Sequence, residues 1–354
     1  MADNEVSKLT WIAIVVALAA SIYFVAKPQI NTSTTSTFGK ISSVVEGISP
    51  STKINPNDAK WITKGNYGTN GKFVVDKDGN AVIYAIDASK SIVFHDMQTE
   101  NSKLPTDTLT TLTFQDKVQG DTKSSMTSAF NYAFTNLKTI NNMDTNVETS
   151  TVTNMSSMFE GSKLTSVGDL SQWNTSNVTS MSYMFYKSQL TTVGDLSQWN
   201  TSNVTSMGGM FWNSNLTTVG DLGKWNTSKV TDMSAMFASS KLTSVGDLSN
   251  WDISNVKYMN SMFASSKLTT VGDLGKWNTS NVKYMNSMFA SSKLTTVGDL
   301  SQWDTSNVTG MRSMFSSSQL TSVGDLSQWN ASNVTNMSGM FANTKLTPPA
   351  WYHE

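Results

Sequence analysis

Residues 178–203 read VTSMSYMFYKSQLTTVGDLSQWNTSN, and residues 204–229 read VTSMGGMFWNSNLTTVGDLGKWNTSK. Near-copies recur at a fixed period of 26 residues, marked by Trp173, Trp199, Trp225, Trp251, Trp277, Trp303 and Trp329. A unit this short cannot bury its own apolar face. It does so by stacking on identical neighbours, so the period predicts a solenoid.

Each unit divides into three stretches. In Val178-x-x-Met181-x-x-Met184-Phe185 the apolar residues fall at i, i+3, i+6 and i+7, which predicts a helix of about two turns. Ser176 or Asn177 stands where a side-chain oxygen would cap its start, and the Ser recurs in every unit. Leu190-Thr-Thr-Val193-Gly194-Asp195-Leu196 predicts one short strand per coil, paired in parallel with the next coil about 4.8 Å away. Ser197 to Thr201 then carries Trp199 inward and returns the chain. The expected fold class is an α/β solenoid with one short strand and one short helix per coil. Its core is Val178, Met181, Met184, Phe185, Leu190, Val193, Leu196 and Trp199, with their equivalents.

Several columns invite functional readings. Sixteen of the 20 Met stand in the Met-x-x-Met-Phe columns. Copper or promiscuous peptide binding is one reading. Packing is the better one, because each Met recurs beside a Phe and an unbranched Met fills irregular gaps. Trp is read as a packing ladder before a sugar-stacking one. The Asp column (Asp169, Asp195, Asp221, Asp247, Asp273, Asp299, Asp325) would be costly if buried and unpaired. Its members face solvent, cap local backbone N–H groups or share cations; capping is the first reading and a calcium ladder the second. Equivalent carboxylates do not supply the two unlike environments of a glycosidase. Asn-Thr-Ser and Asn-Val-Thr triplets at Asn174, Asn177, Asn200 and Asn203 would accept glycans in a eukaryotic secretory host. Glycans on every coil would crowd one another, so the triplets are read as turn chemistry.

Where the copies disagree, a binding face can be written. The candidates are Tyr183, Tyr186, Lys187, Trp212, Lys257, Tyr258, Lys283, Tyr284 and Arg312, with Tyr183, Tyr186 and Trp212 clustered in the early coils and some of these packed under the N-terminal module. Exposed aromatics at such positions serve as contact anchors.

Composition narrows the partners. Only 14% of residues are charged and the net charge is −1, which argues against nucleic acid as a partner. There is no Cys, and His95 and His353 are the only histidines, so thiolate and His-rich metal centres are excluded and no cofactor is expected. His95, Asp96 and Asp87 offer the only polar cluster of the pre-repeat region, with no nucleophile beside them. An enzyme is not expected.

Upstream, Leu9 to Ala26 is an uncharged run between Lys8 and Lys27. At 1.5 Å per residue it spans roughly 27 Å, close to a bilayer's hydrocarbon core. It is read as a transmembrane anchor. A signal peptide cleaved near Ala17-Leu18-Ala19 is the alternative, and a buried helix of a soluble protein the third reading. The plan is a short cytoplasmic tail (1–8), the anchor (9–26), a Ser/Thr-rich linker (27–55), a β-rich capping module (56–125), the solenoid (126–347) and a C-terminal tail (348–354). In the capping module, residues 72–76 and 81–85 read as strands joined by a turn at Asp78-Gly79. Asp76, Asp78 and Asn80 have a loose calcium-loop look, without the Glu that such a loop needs. Residues 126–144 read as a degraded coil, with Phe134 and Leu137 at the Phe and Leu positions. Pro348 and Pro349 stop the last coil and leave Trp351 and Tyr352 as a plug or a tail.

The phrase Trp-(Asn/Asp)-Thr-Ser-Asn-Val-x-x-Met-x-x-Met-Phe, repeated over roughly residues 125–347, resembles the 26-residue repeats of the BspA-like leucine-rich-repeat family. That family is also described as a domain of unknown function in mycoplasma, listeria and lactobacillus surface proteins. KFVVDKDGNAVIYA (72–85) resembles the β-stretch that precedes such repeats. The resemblance implies an irregular leucine-rich-repeat-like stack on a cell surface, adhesion in some members, and no inherited catalytic residue. The chain departs from the secreted pattern in its hydrophobic N-terminal run and in lacking a lipobox Cys and a C-terminal sorting motif. The expectation is a non-enzymatic, single-pass cell-membrane protein with its repeat domain extracellular, binding a protein or glycan partner. The alternative is a structural spacer or self-assembling surface component. Seven coils at about 4.8 Å give only about 34 Å of length, which is short for a stalk.

Overall fold

The computed structural model describes residues 53–353. From Asn55 onward the chain is one compact unit. It opens with an antiparallel meander of β1 (Trp61–Asn66), β2 (Gly71–Asp76) and β3 (Asn80–Ala85). From β3 onward the strand pairing is parallel. In one sheet β3 pairs β5 (Thr111–Phe114) and β5 pairs β7 (Thr139–Asn141). In the other, β4 (Ile92–Asp96) pairs β6 (Val118–Ser125), and β6 pairs β8 (Val147–Glu148) and β9 (Val152–Asn154). Two short helices, α1 (Met97–Asn101) and α2 (Met143–Asn146), fill connections.

Both sheets run on into the repeats. The first continues in the bridge Thr139–Ser166, and the second in a chain of single bridges from Asn154 through Ser180, Ser206, Asp232, Tyr258, Tyr284 and Gly310 to Asn336. The parallel stack therefore starts at β3, and its pairing crosses residue 125 without interruption. The β1–β2 pair and the antiparallel bridge Thr69–Val93 cover β3 and β4, the first strands of the parallel stack, whose edges would otherwise face water.

The regular coils differ from the expected strand-plus-helix unit, which needs correction on three points. First, Val178 to Ser188 is not a helix. Met181, Tyr183, Phe185 and Lys187 donate their N–H groups to Ser206, Gly208, Met210 and Trp212 of the next coil at 2.8–3.0 Å. The intervening Met184, Tyr186 and Ser188 bond back three residues, to Met181, Tyr183 and Phe185. Tyr183 and Lys187 have φ of +58° and +53°, and every later coil repeats the two left-handed positions. A left-handed residue in each turn cannot sit in an α-helix. Spacings of three and four are shared by successive turns and by a helix. A stretch this short, rich in Ser, Asn and Gly, does not nucleate a helix when a neighbouring coil offers acceptors.

Second, Leu190 to Leu196 is not a strand. It makes isolated bonds such as Leu196 N–H to Val219 O (2.9 Å), while the parallel bridges lie at Ser180 and its equivalents. A 3-10 turn follows at Leu196–Gln198, and five other coils repeat it. Third, the transmembrane helix expected as part of the fold is not among its described elements. Among the described residues no helix is long and apolar enough to cross a membrane, and the span expected over 9–26 lies outside them. Residues 1–8 and most of 27–55 lie outside them as well. The fold is an irregular solenoid of stacked turns that begins in a β-rich end.

The columns hold this stack. Phe130, Phe159, Phe185, Phe211, Phe237, Phe263, Phe289, Phe315 and Phe341 form one ring ladder with centroid steps of 5.5–5.9 Å. Phe130, not Phe134, occupies the column in the degraded coil. Phe134 packs beside it at 5.9 Å, while Leu137 is buried as expected. The Met pairs from Met155 to Met314 are fully buried. Each Trp from Trp199 to Trp329 donates its Nε1–H to a Leu carbonyl of the preceding coil at 2.8–2.9 Å. Trp351 continues that column, bonding Leu326 O at 2.7 Å, and Tyr352 packs edge-on against Phe341. The C-terminal residues are thus a plug.

Candidate recognition surface

The polar columns are consumed locally. Every Asp of the column accepts the backbone N–H two residues on, as Asp195 does from Ser197 and Asp247 from Ser249 (2.9 Å each), and so heads the 3-10 turn or its equivalent. These bonds hold the Asp247 and Asp299 carboxyls below the usual carboxylate range, the backbone N–H of Ser249 and Ser301 contributing most. The Gly before each Asp sits on the previous carboxylate: a Cβ on Gly194 would overlap Asp169 Oδ1, and φ is +87°. No other residue fits there.

The Ser expected as a helix cap instead donates. Ser202 Oγ–H and N–H both reach Asn200 Oδ1, at 2.7 and 3.1 Å. Asn203 Nδ2 donates to Ser176 O of the coil before, and Lys229 replaces that bond by reaching Asn203 Oδ1 at 2.7 Å. The Asn triplets are therefore turn and ladder chemistry.

The pre-repeat candidates also resolve into local duties. Asp76 accepts from the N–H groups of Asp78 and Asn80 and from Asn80 Nδ2, closing the β2–β3 hairpin. Partial burial raises its pKa and these bonds more than offset it, leaving the carboxyl depressed. Asp96 caps α1 through Thr99 N–H, Asp87 holds Ser89, and His95 Nδ1 meets Asp121 at 2.9 Å on the surface. His95, Asp96 and Asp87 do not converge. Among the described residues no cluster of three His, Asp or Glu side chains is arranged to hold a metal ion.

The variable aromatic residues, by contrast, come together. Tyr186 and Trp212 stack with centroids 4.6 Å apart, and Tyr183 lies 5.7 Å from Tyr186 and 6.4 Å from Trp212. Lys187 Nζ stands over the Tyr186 ring at 4.9 Å. None of them is roofed: Tyr183 is 41% exposed, Lys187 is exposed, and Tyr186 and Trp212 are half-buried. Sequence reading missed three parts of this cluster. Tyr132, 50% exposed, lies over Gly161, and Tyr183 lies over Gly209. A Cβ at either glycine would run into the ring above it. Glu160 is the third, its charge felt by Tyr132, Tyr183 and Lys187. The signal was present: Gly replaces a side chain at Gly161 and Gly209 in the columns of Lys187 and Tyr183.

Burial, then the charges of Asp232 and Glu160, pushes the Tyr183 phenol up. Burial does the same for Tyr132, with Glu160 adding to it and Lys187 opposing. Lys187 is pushed up chiefly by its bond to Tyr186.

Tyr258 and Tyr284 form a second exposed pair, stacked at 5.8 Å and 8°, each beside an exposed lysine, Lys257 or Lys283. Both tyrosines lie in the bridge column that also contains Asp232, and Asp232 acts electrostatically on Tyr183. Arg312 is exposed one coil further on, its N–H held by Asn286. All nine predicted residues thus lie on the turn-ladder side of their coils.

These features define a solenoid repeat protein whose invariant columns are spent on the stack and whose variable positions form an aromatic surface. The family described as "Mycoplasma protein of unknown function, DUF285" matches residues 124–245, 213–316 and 269–347. The chain belongs to that family. The mycoplasma repeat resemblance seen in the Trp-to-Phe motif is thereby borne out. Among solved structures, the chain is similar to a leucine-rich repeat protein from Eubacterium ventriosum ATCC 27560, with 13% identity over 82% of this chain and 97% of that one. The TM-score is 0.24, too low to add to the fold derived above. No protein with a curated description matches the chain.

Proposed function

We propose that this protein is a non-enzymatic recognition module of a cell surface, and that it binds a protein or glycan partner through the turn-ladder side of its coils. One observation carries the reading: Tyr132, Tyr183, Tyr186 and Trp212 depart from the residues found at equivalent positions elsewhere, and they do so together. Tyr132 and Tyr183 are exposed and pack no core, so stability does not account for their place, and contact with a partner does. The spending of Asp, Asn and Ser on backbone bonds supports a non-catalytic role. The Thr- and Asn-rich, Cys-free composition suits an extracellular setting. Surface display of the chain on cells, with binding to partner cells counted by flow cytometry, tests the reading. It requires adhesion that falls when Tyr183 and Trp212 are both changed to Ala, and equal adhesion of the two forms would contradict it.

A further inference from the structure

We infer that the aromatic surface of the early coils is a glycan platform, with neutral hexopyranose chains as its ligands. The inference rests on the recognition reading above and names its ligand class. Pyranose rings present an apolar C–H face to a π-system and a rim of hydroxyls to hydrogen-bonding groups, so their receptors combine flat rings with polar neighbours. The platform has that composition. Its rings are held before any ligand arrives: Tyr186 on Trp212 at 4.6 Å, Tyr183 edge-on to Tyr186, Tyr132 and Tyr183 each bedded on a glycine. Preset rings lose little side-chain entropy on binding.

The surroundings argue against a protein partner. Ser182 and Asn213 adjoin the rings in the chain, and from Met126 to Val230 no Leu, Ile, Val or Met is exposed to form the apolar centre of a protein interface. The phenol oxygens of Tyr132 and Tyr183 and the Trp212 indole N–H make no hydrogen bond within the described residues. They remain available as donors to sugar hydroxyls. Glu160 and Asp232 set two negative charges against the one of Lys187, so the platform offers an anionic polymer no net attraction. Because the platform spans four successive coils, from Tyr132 to Trp212, it follows a chain of several sugar units in place of a single residue.

The test is a glycan array of neutral hexopyranose oligosaccharides, read with the full chain, followed by titration of each hit while tryptophan emission is recorded. The expected result is binding that lengthens with the oligosaccharide, a blue shift from Trp212, and a loss of roughly tenfold or more in affinity for Tyr183→Ala or Trp212→Ala. Lys276→Ala, exposed on a 3-10 turn away from the turn-ladder side, serves as the folded control with unchanged binding. No binding across the array overturns the glycan assignment. If cell adhesion meanwhile still depends on Tyr183 and Trp212, and protease treatment of the partner cells abolishes it, a protein is the ligand and only the recognition reading stands. Glycan binding that survives both substitutions overturns the platform.

Discussion

The β-rich end and the regular coils stack by the same parallel contact, yet they hold it with different backbones. In the first coils strands of up to eight residues pair along their length, as β6 does with β4, β8 and β9, and the packing is individual. Tyr67 is completely buried and donates to Asn101 Oδ1 at 2.7 Å, while Asn101 Nδ2 donates to Ala129 O. In the regular coils pairing shrinks to a single bridge, and alternate N–H groups of a turn ribbon take over. What was one specific polar network becomes seven copies of a Trp–Leu bond and a Gly–Asp seat. The difference teaches that the array is stabilised by columns, each link worth as much as the next, whereas the β-rich end depends on links that occur once.

The largest expected effect breaks a column. Trp251→Ala removes a buried indole and its bond to Leu222 O, at a cost of about 3–5 kcal/mol. In a stack stabilised by nearest neighbours this splits the urea transition in two. Tyr67→Phe in the β-rich end leaves Asn101 Oδ1 without its donor and costs about 1–3 kcal/mol, shifting the midpoint without splitting it. Equal, unsplit shifts for the two would erase the distinction between the regions. Gly246→Ala comes next. Its φ of +81° disfavours a side chain and the new Cβ meets Asp221 Oδ1, for a combined cost of about 3 kcal/mol read from the same denaturation curves.

Acid sharpens the comparison further. Asp247, Asp252, Asp299 and Asp304 are held below the ordinary carboxylate value of 3.8 by bonds from the Ser two residues on. Their folded pKa values lie below the unfolded ones, so the stability they contribute is complete above about pH 5 and is lost as pH falls below about 4. Thermal midpoints should stay level from neutral pH to about 5 and then drop. Changing Asp247, Asp252, Asp299 and Asp304 together to Asn keeps an oxygen for each Ser N–H and flattens the drop, whereas an unchanged slope would place the acid sensitivity in the β-rich end, at Asp76 and Asp87. The smallest effect is a gain. Ser261 holds φ of +55° where other coils have Gly209 and Gly339, so Ser261→Gly should stabilise by up to about 1 kcal/mol in calorimetry.

These positions also mark how far the sequence could be read. Period, core columns and the capping role of Asp follow from spacing and residue type, whereas residues 348–354, read as a plug or a tail, became a plug only through the bond of Trp351 to Leu326 O. The helix over Val178–Phe185 did not survive because its apolar pattern fits stacked turns equally well, and the acceptors that decide between them lie in the next coil. The strand over Leu190–Leu196 failed for the complementary reason: β-favouring Thr and Val indicate an extended chain, while bridge partners are set by where neighbouring coils approach. Tyr183, Tyr186 and Trp212 could be singled out by their irregularity. Glu160 stood one period before Tyr186 and was passed over, whereas Tyr132 joins the cluster only because a longer first coil stacks on the second.

The central claim is that invariant columns make the fold and that the aromatic platform, where the copies disagree, makes the contact. It is tested most directly by replacing Tyr183, Tyr186, Lys187 and Trp212 together with the residues that the protein itself uses at those positions elsewhere, Ser261, Ala264, Ser265 and Ala238. The account predicts a thermal midpoint equal to or above that of the parent, and loss of adhesion to partner cells. A variant that unfolds early, or that adheres as well as the parent, would contradict it.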